Sequence, residues 1–200
     1  MKAWQRHKAP SFLAKPRYLT KEEVNLILEA LKNQKHNRAL RNFLFVALLW
    51  QTGARISELL QVKVEDLDFE NLVIRLPTLK RKRPQFRAVP LLPDLAPYLK
   101  EYIAQKGLSP QDRLFSFSRA QGYTIVREAV LWVFPQAKDK AHPHIFRHSF
   151  AIFCLKQGIP ITVVQAILGH RNLNNTVIYS QFLGEDVKKW FEEARFFNFN

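Results

Sequence analysis

The chain reads as an α+β fold, mainly α with one small antiparallel β-sheet. Three observations predict it. Apolar residues recur at helical spacing over most of the 200 residues. Between residues 61 and 92 that period gives way to two β-type runs, LVIRL (72–76) and FRAVPL (86–91), joined by a long basic tip. Gly or Pro stands where most of the helical stretches stop.

Residues 1–18 are basic, carry Pro10 and Pro16 and show no period, which predicts a flexible arm. Thr20, with Glu23 three residues on, forms a capping box for a helix carrying Val24, Ile27, Leu28 and Leu31. A second helix, Arg38 to Gln51, has the centre FLFVALLW. It is apolar nearly all round and therefore expected to be buried. Gly53 ends it, and a short helix follows over Ile56 to Leu60. Beyond the hairpin, Pro93 and Asp94 open a helix to Lys106, capped by Gly107. A further helix spans about Thr124 to Phe134 and stops at Pro135. Pro143 suits the first turn of a helix running to Gln157, with Gly158 after it. Ile161 to Leu168 forms another, ended by Gly169. A short helix is expected around Tyr179 and a last one from Glu185 to Phe196.

Charge narrows the function. With 31 Lys+Arg against 17 Asp+Glu the net charge is +14, so a polyanion, nucleic acid first, is the expected partner. The hydrophobic fraction of 47% suffices for a core, in one sizeable domain or two very small ones. The longest apolar run, Phe43 to Trp50, falls far short of the roughly 20 residues of a spanning helix, so no membrane partner is expected. The first residues lack the apolar core of a secretory signal. Cys154 is the single cysteine, which excludes an internal disulfide and a cysteine-based zinc site. These features point to a reducing cytoplasm.

The residues suited to chemistry are scattered in sequence. His144 and Arg147 stand three apart and share a helix face, while His148 is expected on a different one. An arginine fork can hold two phosphate oxygens, and a histidine beside it can donate to the same phosphate or move a proton near neutral pH. Arg55, after Gly53, begins a helix where an anion is favoured; its bland alternative is a pair with Glu58. His170 follows Gly169 at a helix end, where a structural role is the simpler reading. Tyr179 has a phenol that is a poor nucleophile at neutral pH unless cations and a proton acceptor surround it. Lys80, Arg81, Lys82, Arg83 and Arg87 place five cations in eight positions of the hairpin. They form either a solvated charged loop or a tip that enters a DNA groove, with one lysine protonating a leaving oxygen. Convergence of these groups carries the functional reading, not any one residue.

Together, TGARISELL (52–60), the hairpin ending in RAVPL, HPHIFRHSFA (142–151) and LGHRNLNNTVIY (168–179) resemble the tyrosine recombinase, or phage integrase, family over about residues 20 to 183. The resemblance implies that family's catalytic-domain fold. It implies that Arg55 and Arg147 hold the scissile phosphate, aided by His144 and His170, and that Tyr179 is the nucleophile. Lys80 is the implied hairpin lysine; counting back from Arg87 favours Lys82 instead. Lys80 is preferred because insertions enter at a loop tip. Arg81, Lys82, Arg83 and Arg87 are implied DNA contacts. The chemistry would pass through a 3′-phosphotyrosyl bond that conserves bond energy and calls for neither ATP nor metal. In keeping with that, the sequence offers no acidic cluster for Mg²⁺ and no Gly-rich phosphate loop. Integration, excision and inversion all remain open.

Typical members carry a further N-terminal helical domain that clamps DNA. Ahead of Thr20 this sequence shows only a basic arm, so the expectation is a short, catalytic-domain-only member, similar to those that invert promoter segments of bacterial fimbriae, with a fragment of a longer protein as the alternative. The expected organisation is an arm over 1–18, a catalytic domain over 19–183 and a helical tail over 184–200. The tail carries Val187, Trp190, Phe191, Ala194 and Phe197 at helical spacing and is expected to dock on a neighbouring protomer. Expected partners are double-stranded DNA, further copies of the chain in a tetramer on paired sites, and accessory DNA-bending proteins. The setting would be the nucleoid of a bacterium or archaeon, or a phage-encoded equivalent. Two other readings are a type IB topoisomerase-like relaxing enzyme and a non-catalytic DNA-binding regulator on the same fold.

Overall fold

In the computed structural model of the chain, residues 18–78, 85–170 and 172–178 are described. The expected arm (but for Tyr18), the hairpin tip with Lys80, Arg81, Lys82 and Arg83, Tyr179 and the tail over 184–200 lie outside them.

Helix α1 (Lys21–Lys32) starts at the expected capping box. Thr20 Oγ1 accepts the Glu23 N–H at 3.2 Å, and the Glu23 carboxylate accepts the Thr20 N–H at 2.8 Å. Such a cap is worth about 1 kcal/mol. It seats Val24, Ile27 and Leu31 against α2 (Ala39–Thr52). The apolar centre of α2 is enclosed as its composition demands: Leu44, Phe45, Val46, Leu48 and Leu49 are all inaccessible to solvent. α2 therefore runs through the core, packed on α1, on α4 (Ala96–Lys106) and on α6 (Pro143–Lys156).

After α2 the chain reverses at Gly53, whose φ of +58° is left-handed. A Cβ there would lie 2.6 Å from Phe150 and 2.7 Å from Leu168, so both conformation and space require glycine. The short helix α3 (Ile56–Leu59) follows. Strands β1 (Leu67–Asp68), β2 (Val73–Pro77) and β3 (Phe86–Pro90) then form an antiparallel sheet in that order. Leu67 pairs with Ile74, and Ile74 with Val89, placing these side chains on the core face. β1 was not expected: two residues are too few for an alternating pattern to register.

Helix α5 (Arg119–Val133) begins a full turn before the expected start near Thr124. Ser118 caps it, accepting the Gln121 N–H at 3.2 Å. The expectation failed because the first turn, RAQG, offers no large apolar residue to continue the helical stripe. α7 (Ile161–Leu168) and the four-residue α8 (Asn174–Val177) complete the described elements, α8 ending just ahead of Tyr179.

The core has two parts. The larger gathers α1, α2, the sheet, α4, α5 and the start of α6 around Phe45, Phe115 and Phe146. The smaller joins the end of α6 to α7 through Phe150, Leu155, Val164 and Leu168. Trp50 of α2 packs on both, its ring 6.4 Å from that of Phe150 at a near-perpendicular angle.

Candidate active site

Arg147 stands at the junction of the two cores. Proline at the first turn of α6 starts the helix, and the apolar face Ile145–Phe146–Phe150 buries it. That packing carries Arg147 inside with its face, leaving it 3% exposed. A buried guanidinium requires hydrogen-bond acceptors. Nη1 donates to the Gly53 carbonyl at 2.6 Å and Nη2 to the Leu168 carbonyl at 2.7 Å. These are the ends of α2 and α7. One side chain thus ties together three segments that are far apart in sequence: the Gly53–Arg55 turn, α6 and the Gly169–His170 turn. Two of the five N–H donors of the arginine are used in doing so.

Arg55 is the residue before α3. Its backbone N–H donates to Glu58 Oε2 at 3.0 Å and its Nη1 to Glu58 Oε1 at 2.8 Å. The pairing weighed as its bland alternative is therefore present, yet it does not bury the arginine: the Arg55 side chain stays 23% exposed, against 1% for Glu58. Glu58 also receives Arg87. This β3 arginine, expected among the outward contacts of the hairpin, turns into the protein, its side chain 10% exposed. Its Nη2 donates to Glu58 Oε2 at 2.8 Å and its Nε to the Ile167 carbonyl at 2.6 Å. Its Nη1 is buried without a hydrogen-bond partner. A Cβ on Gly169 would come within 3.3 Å of that guanidinium, so the glycine gives it room. Burial pushes the Glu58 carboxyl up, but Arg87, the Arg55 N–H and the Arg55 guanidinium outweigh it and hold the pKa below the ordinary value. Glu58 is thus an anion that orients two cations. Sequence reasoning passed over it as a mere partner of Arg55. Its signal was a carboxylate one turn into a helix that otherwise buries only apolar residues.

His170 follows Gly169, whose φ of +66° closes α7. The Gly169 N–H donates to the Ala166 carbonyl and the His170 N–H to that of Gln165, so the imidazole leaves the helix in a set direction. Nδ1 pairs with Thr176 Oγ1 at 2.8 Å, and Thr176 is fully buried in α8. Burial, then the charges of Arg147, Arg55 and Arg87, lower the His170 pKa to about 4, Glu58 opposing weakly. His170 is neutral at pH 7 as a result.

His144 lies on the exposed side of the first turn of α6. The covered part of its ring and then nearby cations, Arg147 first, lower its pKa. His148, expected on another face, is inclined toward it instead. The two rings are 6.3 Å apart, as i,i+4 spacing on a helix dictates.

The structure therefore brings Arg55 and Arg87 together on Glu58, and sets these three and Arg147 close enough to His170 to act on it, with His144 near enough to feel Arg147 and Arg55. Three guanidinium groups against one carboxylate leave the site a net charge of +2, flanked by neutral imidazoles. Such a site suits an anion with several oxygens, since arginine forks and imidazole N–H groups both donate to it. Among the described residues no cluster of His, Cys, Asp and Glu is arranged to hold a metal ion. No helix among them is long and apolar enough to cross a membrane.

The chain's relatives identify its family and its fold. The phage integrase family model matches residues 17–184. A tyrosine recombinase of Pseudothermotoga lettingae is 36% identical over 176 residues, covering 86% of this chain and 58% of its own length. The crystal structure of XerA recombinase superposes with a TM-score of 0.76 at 25% identity, over 92% of this chain and 67% of that one. XerH recombinase bound to its difH substrate gives 0.74 at 30% identity, over 86% and 52%. The chain thus spans a little over half the length of that curated relative, and its mostly helical fold with a three-stranded sheet is that of tyrosine recombinase catalytic domains. By sequence and by fold, the chain belongs to the phage integrase family.

Proposed function

We propose that this chain carries the catalytic unit of a site-specific DNA recombinase, acting on double-stranded DNA as a tetramer on paired sites. The observation that carries this reading is the buried Arg147, which binds the carbonyls of Gly53 and Leu168 and so gathers Arg55 and His170 around one anion-binding centre. XerH, a structural neighbour, is known bound to its DNA substrate.

In the proposed reaction the Tyr179 phenol passes its proton to a neutral imidazole of the site as its oxygen attacks a scissile phosphate, forming a 3′-phosphotyrosyl bond while the bond to the 5′ oxygen breaks. Lys80 protonates that oxygen, and the 5′ hydroxyl of a partner strand later reverses the step. Arg55 and Arg147 stabilise the charge that builds on the non-bridging oxygens. Preorganised donors of this kind are worth about 3–4 kcal/mol each in other enzymes. His170, uncharged at rest, donates from the nitrogen that Thr176 does not engage and gains basicity once a phosphate sits beside it. His144 assists from the rim. Arg81, Lys82 and Arg83 contact the backbone, while Arg87 positions Glu58 and through it Arg55. The catalytic unit corresponds to residues 19–183, with the tail over 184–200 docking on a neighbouring protomer. The phosphotyrosyl bond stores the energy for rejoining, so neither ATP nor a metal takes part.

A nicked suicide substrate tests this directly. The wild-type chain should form a covalent protein–DNA adduct through Tyr179, and Tyr179→Phe should form none. An adduct that survives that substitution removes Tyr179 from the role.

A further inference from the structure

A second basic site lies at the other end of α2. Arg38 and Arg41 at its start, Lys106 at the end of α4 and Arg113 beyond it converge on a pocket of about 270 Å³. Tyr102 and Ser116, both hydroxyl-bearing, also line it, beside Asn37, Leu108 and Leu114. None of the four cations has a carboxylate within 4 Å among the described residues. Arg41 is only half-buried and is fixed in place: its guanidinium sits 5.0 Å from the centre of the Phe117 ring and donates to Asn42 Oδ1 at 2.8 and 3.2 Å. Burial, and the charge of Arg38, lower its pKa despite the opposing effect of Tyr102. Four like charges gathered with no counter-ion among the described residues repel one another, and a multiply charged anion is the species that relieves this.

We propose that this pocket is a second phosphate-binding site, shaped for two or more adjacent phosphate groups. The size suits a di- or triphosphate, or neighbouring phosphates of a nucleic-acid backbone. Four cations with two hydroxyl-bearing residues match several oxygens at once, and the arginines supply forked donors. The site is separate from the Arg55–Arg147 centre, because the 14 residues of α2 rise roughly 20 Å between them. An anion held here would therefore be a different group from the one at Arg147.

The full chain tests the proposal, in two arms with one control. The pocket variant is Arg38→Gln/Arg113→Gln, two exposed residues whose loss spares the core. The control, Arg127→Gln/Lys138→Gln, removes the same charge from exposed positions outside the pocket lining. Tripolyphosphate is titrated by calorimetry at constant ionic strength, and a non-specific DNA duplex across a salt series. Loss of about fivefold or more in tripolyphosphate affinity, in the pocket variant only, supports the site. If the occupant is a nucleic-acid backbone, the salt slope of duplex binding also falls by roughly one to two in that variant. An unchanged slope alongside lost tripolyphosphate binding identifies a free polyphosphate. If pocket variant and control behave alike in both arms, the proposal is overturned, including the case in which tripolyphosphate binds only at the Arg55–Arg147 centre.

Discussion

Replacing Glu58 by Ala should cost more stability than any surface change in this chain. The carboxylate is 1% exposed and accepts three charge-assisted hydrogen bonds: from the Arg55 N–H at 3.0 Å, Arg55 Nη1 at 2.8 Å and Arg87 Nη2 at 2.8 Å. The Arg55 pair reaches solvent and contributes at most about 1 kcal/mol. The Arg87 pair does not, and removing one partner of a buried pair costs about 3–5 kcal/mol because the other charge is left uncompensated. Arg87 is already strained for partners, with Nη1 buried and unpaired. Glu58→Ala should therefore lose about 3–5 kcal/mol in urea unfolding, read from the midpoint at constant slope. Glu58→Gln, which keeps the shape but not the charge, should lose about 1.5–3 kcal/mol. A double-mutant cycle with Arg87→Ala isolates the pair, and its coupling should exceed about 1.5 kcal/mol. A coupling near zero, or a Glu58→Ala variant within about 1 kcal/mol of wild type, would refute the view that Glu58 and Arg87 form one buried unit.

Four further outcomes follow from the same structure. Gly53→Ala should destabilise by about 1–3 kcal/mol, because a Cβ would meet Phe150 and Leu168 at a left-handed turn; thermal unfolding checks this, and a neutral result would mean that the turn gives way. His170 has a pKa lowered to about 4 from the ordinary 6.5, so the unfolded chain takes up a proton that the folded one refuses. Stability should fall as pH drops through that window, and His170→Asn should flatten this part of the profile. For the same site, binding of duplex DNA should draw a proton onto His170, so affinity should rise as pH falls toward 6 and this trend should vanish in His170→Asn. Cys154, buried with its thiol pushed up to about 12, should resist iodoacetamide in the folded chain and react at the ordinary rate in denaturant.

Local chemistry is what could be read directly. The capping box at Thr20 and Glu23, the all-round apolar centre of α2, the two hairpin strands and Pro143 each act through neighbours within a few residues, and each appears within a residue or two of its expected place. Where the local signal was weak, the reading slipped. The first turn of α5 has no large apolar residue, and β1 has only two residues. The same limit governed the site. Arg55, Arg147 and His170 could be picked out as candidates from their neighbours, but Arg87 was taken for an outward cation because strand alternation says only that a side chain faces one of two sides.

The amino-acid sequence alone determined the class of the fold, its basic character and the family whose motifs it bears, because propensity, capping and charge are properties of short stretches. Only the tertiary structure decided which charges meet. Arg147 reaches the carbonyls of Gly53 and Leu168, 94 and 21 residues away, and Glu58 holds Arg87 across 29. Those partners are chosen by where the two cores press α2, α6, α7 and β3 together. A buried charge must find its counterpart there or not be buried at all, and no stretch of sequence records that choice.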